Sequence, residues 1–156
     1  MKESERISKL FADQWSGEPW LGVSWEKTLR EITAKEASSR PFPGFNSIWE
    51  IVIHLLGMRQ AVLRRLEGEP IETPDDNYFH AITDRSEAAW QQLITQMEQT
   101  TRRLQELLLR EKSAALSRQS VQPPFTRYEL LMGLLQHDAY HLGQIRLLHR
   151  LARFRM

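Results

Sequence analysis

The chain contains no cysteine. That one absence removes disulfides, thiolate metal ligands, iron–sulfur clusters and a cysteine nucleophile together. Any thiol chemistry would have to bring its thiol on a small molecule. Charge bias is also missing, with 21 Lys and Arg against 20 Asp and Glu for a formal net charge of +1. A general nucleic-acid binder or membrane-surface binder is therefore not expected. No apolar run approaches the roughly 20 residues needed to cross a bilayer. Met1 to Leu10 is charged rather than built like a secretory leader, so a cytoplasmic location is expected. No stretch keeps the period-two alternation of a half-buried strand. What is present, 156 residues with 41% hydrophobic and 26% charged, suits one soluble globular domain spanning residues 1–156.

Four stretches carry helical periodicity, which makes the expected fold all-α. The first runs from about Glu3 to Trp15, with Ile7, Leu10, Phe11 and Trp15 on one side, and Gly17-Glu18-Pro19 ends it. A short helix is expected near Ser24 to Thr33. The two prolines of Arg40-Pro41-Phe42-Pro43-Gly44 then forbid helix. The second long helix opens at Asn46/Ser47, where Ser47 and Glu50 form a capping box, and runs to about Leu66 before Gly68 and Pro70. The third is expected to begin at Asp84 with Glu87 as its box partner and to bury Trp90, Leu93, Ile94, Met97, Leu104 and Leu108. After Pro123-Pro124 the fourth begins at Thr126 with Glu129, and its stripe includes Leu130, Leu134, Leu142, Ile145 and Leu148. At about 3.3 Å per residue, the segment from Glu67 to Thr83 is long enough to cross a helical bundle lengthwise. Helices two and three are thereby free to run parallel.

Two of the five histidines, His137 and His141, stand four residues apart. On a helix this puts both rings on one face, about 6 Å apart at the backbone, where two ring nitrogens can converge on one cation at about 2.1 Å. His54, at the margin of the second helix's stripe, offers a third ligand. Three neutral imidazoles would hold Zn²⁺ or a similar first-row ion and leave positions for water or substrate, which is a catalytic kind of site. An isolated pair at this spacing more often packs or meets solvent, and the third histidine is what raises the metal reading. His149 lies about 12 Å further along the helix axis, too far to join, and is read as structural. His80, in the long connection, is read as a loop residue able to line a substrate mouth.

Asp138 projects into the apolar arc of the fourth helix and needs a cation or hydrogen bonds, with Arg or His as partner. It could orient a ligating imidazole or form a structural ion pair. Gln144, on the His137 side of the helix, could bond a substrate or meet solvent. A carboxylate-bridged two-metal site would need the Asp138-x-x-His141 spacing twice, and the carboxylate near His54 is Glu50, already used in a cap. Arg146, Arg150, Arg153 and Arg155 complement the dipole at the end of the last helix. Of the five tryptophans, Trp20 and Trp25 fall on irregular chain and could wall a ligand pocket.

The pattern Ile48-Trp49-Glu50-Ile51-Val52-Ile53-His54, followed by His137-Asp138-Ala139-Tyr140-His141-Leu142-Gly143-Gln144, resembles the DinB/YfiT-like superfamily. The resemblance covers nearly the whole chain. It implies a four-helix bundle of up-down-down-up topology with a long connection between helices 2 and 3, and a three-histidine divalent metal site at His54, His137 and His141. It also implies activities such as thiol S-transfer from bacillithiol or mycothiol and thiol-dependent isomerisation, alongside members without a known reaction. Fold likeness alone does not set a reaction. The expectation is a metal-dependent enzyme, with Zn²⁺ or Ni²⁺ activating a low-molecular-weight thiol or water against a small-molecule electrophile. Asp138 and Gln144 are its candidate outer residues. A non-catalytic metal-binding stress or interaction protein is the competing reading, and a homodimer is expected.

Overall fold

Helix-forming sequence dominates the computed structural model, which describes residues 1–122 and 124–154; Pro123 and Arg155, named above, lie outside them. The helices are α1 (Glu3–Ser16), α2 (Trp25–Arg30), α3 (Ala34–Ser38), α4 (Ile48–Leu66), α5 (Glu87–Arg110), α6 (Ser113–Leu116) and α7 (Arg127–Phe154). Among the described residues there is no strand; one isolated antiparallel bridge joins Gln119 and Thr126.

The four long helices expected are α1, α4, α5 and α7, and among the described residues three short ones accompany them where one was expected. The short helix expected near Ser24 to Thr33 is α2, while α3 just after it and α6 after α5 are additions. Each is too brief for an apolar period to develop. The start of α5 also moves, from Asp84 to Glu87. Ser86 takes the cap, its hydroxyl accepting from the Ala89 N–H, while Asp84 accepts from the Ser86 N–H. Glu87 reaches away to accept from the Ala34 N–H, tying the start of α3 to that of α5. The other two boxes form as read, Ser47 with Glu50 and Thr126 with Glu129.

Cross-helix bonds give the directions of the long helices. The Ser4 and Ser8 hydroxyls donate to the Glu111 and Gln105 carbonyls, so α1 and α5 run antiparallel. Trp49 packs on Trp90, Arg59 donates to Thr101 and Arg103 to Glu67, so α4 and α5 run the same way. His54 faces His137 and the Leu66 carbonyl accepts from Arg127, which makes α4 and α7 antiparallel.

The apolar stripes fill two clusters. One is mainly aliphatic and built on Ile7, Phe11, Val62, Leu66, Leu104, Leu108, Leu131 and Leu134. The other is aromatic, with Trp15, Trp25, Trp49 and Trp90 among Ile51, Leu55, Met97 and Ile145. Between them a buried salt bridge joins Arg59 to Asp138, Nη2 to Oδ2 at 2.8 Å. Arg59 also donates to Thr101 Oγ1 and lies 5.8 Å from the centroid of a Trp25 ring. Trp25 is therefore a core residue, and Trp20 is fully exposed, so neither has the pocket role open to it in the sequence.

The connection from α4 to α5 is pinned at both ends of its course. Arg65, in the last turn of α4, donates to the Ile71 carbonyl, and between them Gly68 takes φ +99° as the chain leaves the helix. Further along, Tyr78 lies against Gly57 so closely that a Cβ there would be 2.5 Å from Tyr78 Cγ. Only glycine admits this approach. Asn77 and Tyr78 both take positive φ, 50° and 64°, so the chain bends sharply just where it touches α4.

Candidate metal centre

His54 on α4 and His137 and His141 on α7 meet where the two antiparallel helices pack. Nε2 of His54 is 3.0 Å from Nε2 of His137, and Nε2 of His141 is 3.2 Å from that same atom. One ligand atom from each residue lies within 4.8 Å of the others. Nitrogens bound about 2.1 Å from a zinc-like ion stand ~3.0 Å apart at a right angle and ~3.4 Å at the tetrahedral angle. Both measured separations fall in that interval. The three rings are inclined to one another, with centroids 4.5 to 5.0 Å apart.

Hydrogen bonds fix which ring nitrogens face inward. His54 donates from Nδ1 to the Asn77 carbonyl at 2.6 Å, and His141 donates from Nδ1 to Gln144 Oε1 at 2.7 Å. Those protons leave the Nε2 lone pairs of both rings pointing at the centre. At most one proton, that of His137, can then lie among the three Nε2 atoms. Buried acceptors crowded in this way are under-satisfied, and a cation would satisfy them. His137 Nδ1 is buried without a hydrogen-bond partner.

Electrostatics favour the neutral, ligating form. Burial lowers the pKa of all three rings. His137 is pushed down to about 4, by burial first, then by the neighbouring His141 and His54 and by Arg59. The Asn77 carbonyl opposes the shift at His54 and Gln144 opposes it at His141, but burial prevails in both.

The connection supplies a wall as well as a hydrogen bond. Phe79 stacks on His54 with centroids 4.3 Å apart and planes 5° from parallel. Asn77, Tyr78 and Phe79 thus grip α4 through a carbonyl, a glycine notch and a stacked ring in succession. Beside His141 and Gln144 opens a cavity of about 400 Å³, walled by Phe45, Ile51, Phe79, Tyr140, Leu147 and Leu148. A larger cavity of about 610 Å³ lies elsewhere along α4 and α5, lined by Tyr78 and His80 with Arg64 and Arg103.

Of the other candidates, Gln144 joins the cluster and the rest lie outside it. Asp138 pairs with Arg59, the ion-pair role of the two open to it; burial pushes its carboxyl upward against the pull of that guanidinium. Gln144 is the side chain that orients an imidazole. His149 contacts Glu36 at 3.5 Å and His80 pairs with Asp76 at 2.9 Å, both outside the three-ring cluster. Glu50 is held by its cap and by Arg40. The Asn77 carbonyl and Phe79 were not legible as site groups, since a backbone acceptor carries no residue signal.

Three comparisons bear on this arrangement. A family model described as the DinB superfamily matches residues 23–145. No curated protein matches the chain. A solved structure of a conserved protein from Enterococcus faecalis is similar at a TM-score of 0.72 and 19% identity, covering 97% of this chain and 98% of that one, which speaks to the fold.

Proposed function

The chain belongs to the DinB superfamily, and from that premise we propose that it is a metal-dependent enzyme in which His54, His137 and His141 hold one divalent ion, Zn²⁺ or Ni²⁺. The observation that carries this reading is the convergence of three Nε2 atoms at separations of 3.0 and 3.2 Å, with the Nδ1 protons of His54 and His141 already committed elsewhere. Such an ion supplies Lewis acidity, lowering the pKa of a thiol or water so that a nucleophile exists near neutral pH. The preferred reaction is transfer of a low-molecular-weight thiol to an electrophilic small molecule. A chain without cysteine must take that thiol from solution.

The protein's own residues have defined tasks. Asn77 and Gln144 hold two imidazoles in the ligating tautomer and fix their orientation. Phe79 covers His54, and the apolar side chains around the 400 Å³ cavity limit water beside His141. Asp138 and Arg59 brace the helices beneath the site rather than take part in proton transfer.

The same reading treats the four long helices as an up-down-down-up bundle with α2, α3 and α6 inserted, which the pairings of α1 with α5, α4 with α5 and α4 with α7 support. It places the protein in the cytoplasm as a homodimer. No helix among the described residues is long and apolar enough to cross a membrane. The test pairs chemistry with metal content. The wild-type protein should conjugate a thiol to an electrophile, and His141→Ala should lose both metal and turnover; full turnover in the variant rules the mechanism out. Hydrolysis of the electrophile without thiol would redirect the assignment to a hydrolase. Metal that stabilises the fold while no thiol or water reaction is found would redirect it to a binding protein.

A further inference from the structure

We propose that the cavity beside His141 binds a neutral, apolar small molecule, aromatic in preference, and discriminates against congeners carrying a carboxylate or an ammonium group. Its role as a substrate site rests on the metal-enzyme reading; the binding itself does not. At about 400 Å³ the space lies within the range of about 300–1,000 Å³ typical of small-molecule sites. Its lining consists of Gly44, Asn46 and the apolar or aromatic side chains already named, together with His141 and Gln144, and includes no Asp, Glu, Lys or Arg. A charged group entering it would give up hydration and meet no counter-charge on its side-chain walls. The larger cavity makes the contrast within the same molecule, since Arg64, Arg103 and His80 face that one.

Exposure points the same way. Phe45, Tyr140 and Leu147 stand on this cavity with 56%, 64% and 60% of their surface open, and together they form an apolar rim. Phe79 is shared between the two regions, since it lines the cavity and stacks on His54. A planar molecule against Phe79 and Tyr140 would therefore lie next to the imidazole cluster. The edge of His141 is also met by Tyr140, whose ring centroid is 5.0 Å away.

The test is isothermal titration of the purified protein with 2-naphthylmethanol, 2-naphthoate and 2-naphthylmethylammonium, repeated after chelation so that ligation of the carboxylate by a metal is separated from recognition by the walls. The alcohol should bind in both states, and after chelation both ions should bind at least about tenfold more weakly, a difference of about 1.4 kcal/mol. Leu147→Arg, a change at an exposed position, should shift the chelated protein towards the naphthoate by about the same factor. Equal affinity for the three probes, or no binding of the alcohol, overturns the inference. Elemental analysis of the same samples separates the two claims. Metal-loaded protein that ignores the alcohol overturns the cavity assignment alone, whereas alcohol-selective binding by protein that takes up no metal upholds it and removes the metal reading.

Discussion

The two apolar clusters of this molecule are built from different materials and do different work. The mainly aliphatic one, from Ile7 and Phe11 to Leu104 and Leu134, contains no tryptophan and is not packed around the imidazole cluster. The aromatic one carries four tryptophans and lies beside three imidazoles, a stacked phenylalanine and an apolar cavity. Uniform aliphatic packing maximises buried area and costs nothing in desolvated polar groups. Packing around imidazoles gives up some of that stability to hold polar atoms close together in a dry place. The Arg59–Asp138 pair marks the boundary, and it is itself a desolvated charge pair whose worth lies in being intact. The proposed chemistry therefore draws on one region and not the other.

That division can be broken most forcibly at the boundary. Arg59→Met strands a carboxylate that is fully buried, and unfolding in urea should show a loss of about 3–5 kcal/mol. Adding Asp138→Leu should recover most of it, because removing both charges leaves no unpaired group; a double variant as unstable as the single one would assign Arg59 some other role. Next comes a probe of the aliphatic region. Leu104→Ala should cost about 2–5 kcal/mol in the same experiment and leave metal affinity unchanged, since Leu104 is buried in the mainly aliphatic cluster and not among the residues around the imidazoles. A large fall in affinity would mean that the two regions are coupled.

The reverse case is Gln144→Ala. Loss of the hydrogen bond to His141 Nδ1 should weaken metal binding by about 10- to 100-fold in a competition titration, with little change in the melting of the metal-free protein. The shallowest effect is that of pH. The three rings have folded-state pKa values below the ordinary value near 6.5, so above that pH they are neutral in folded and unfolded chains alike. Between 6.5 and the value of about 4 for His137, the unfolded chain takes up protons that the folded one resists. Stability of the metal-free protein should therefore fall as pH drops through this window, and it should go on falling beneath it as carboxylates held below their ordinary range by hydrogen bonds, Glu50 and Glu129 among them, take up protons. A flat profile within the window would mean that the rings are not held neutral by burial.

Much of the candidate site was legible in sequence because two of its three histidines obey helical spacing. His137 and His141 share a face by period alone, and His54 sits at the edge of a stripe whose start is marked by Ser47 and Glu50. What escaped was set by tertiary contact. Glu87 fits a capping box in sequence, yet it is drawn to the Ala34 N–H, a partner 53 residues away that no local pattern contains. The helices α3 and α6 are shorter than the window over which an apolar period can be detected. Asn77 acts through its carbonyl, and any residue could supply that atom; only the notch at Gly57, which seats Tyr78, brings it to His54. Asp138 was read correctly as needing a cation, while the identity of Arg59 depended on how α4 and α7 align.

The central claim is that three imidazoles from α4 and α7 form one metal site. X-ray absorption at the metal edge, on protein purified without immobilised metal and given one equivalent of Zn²⁺, tests it most directly. The account predicts one bound ion per chain with three imidazole nitrogens at about 2.1 Å, falling to two in His54→Ala. A spectrum of ordinary hydrated zinc, or one left unchanged by that substitution, would contradict it.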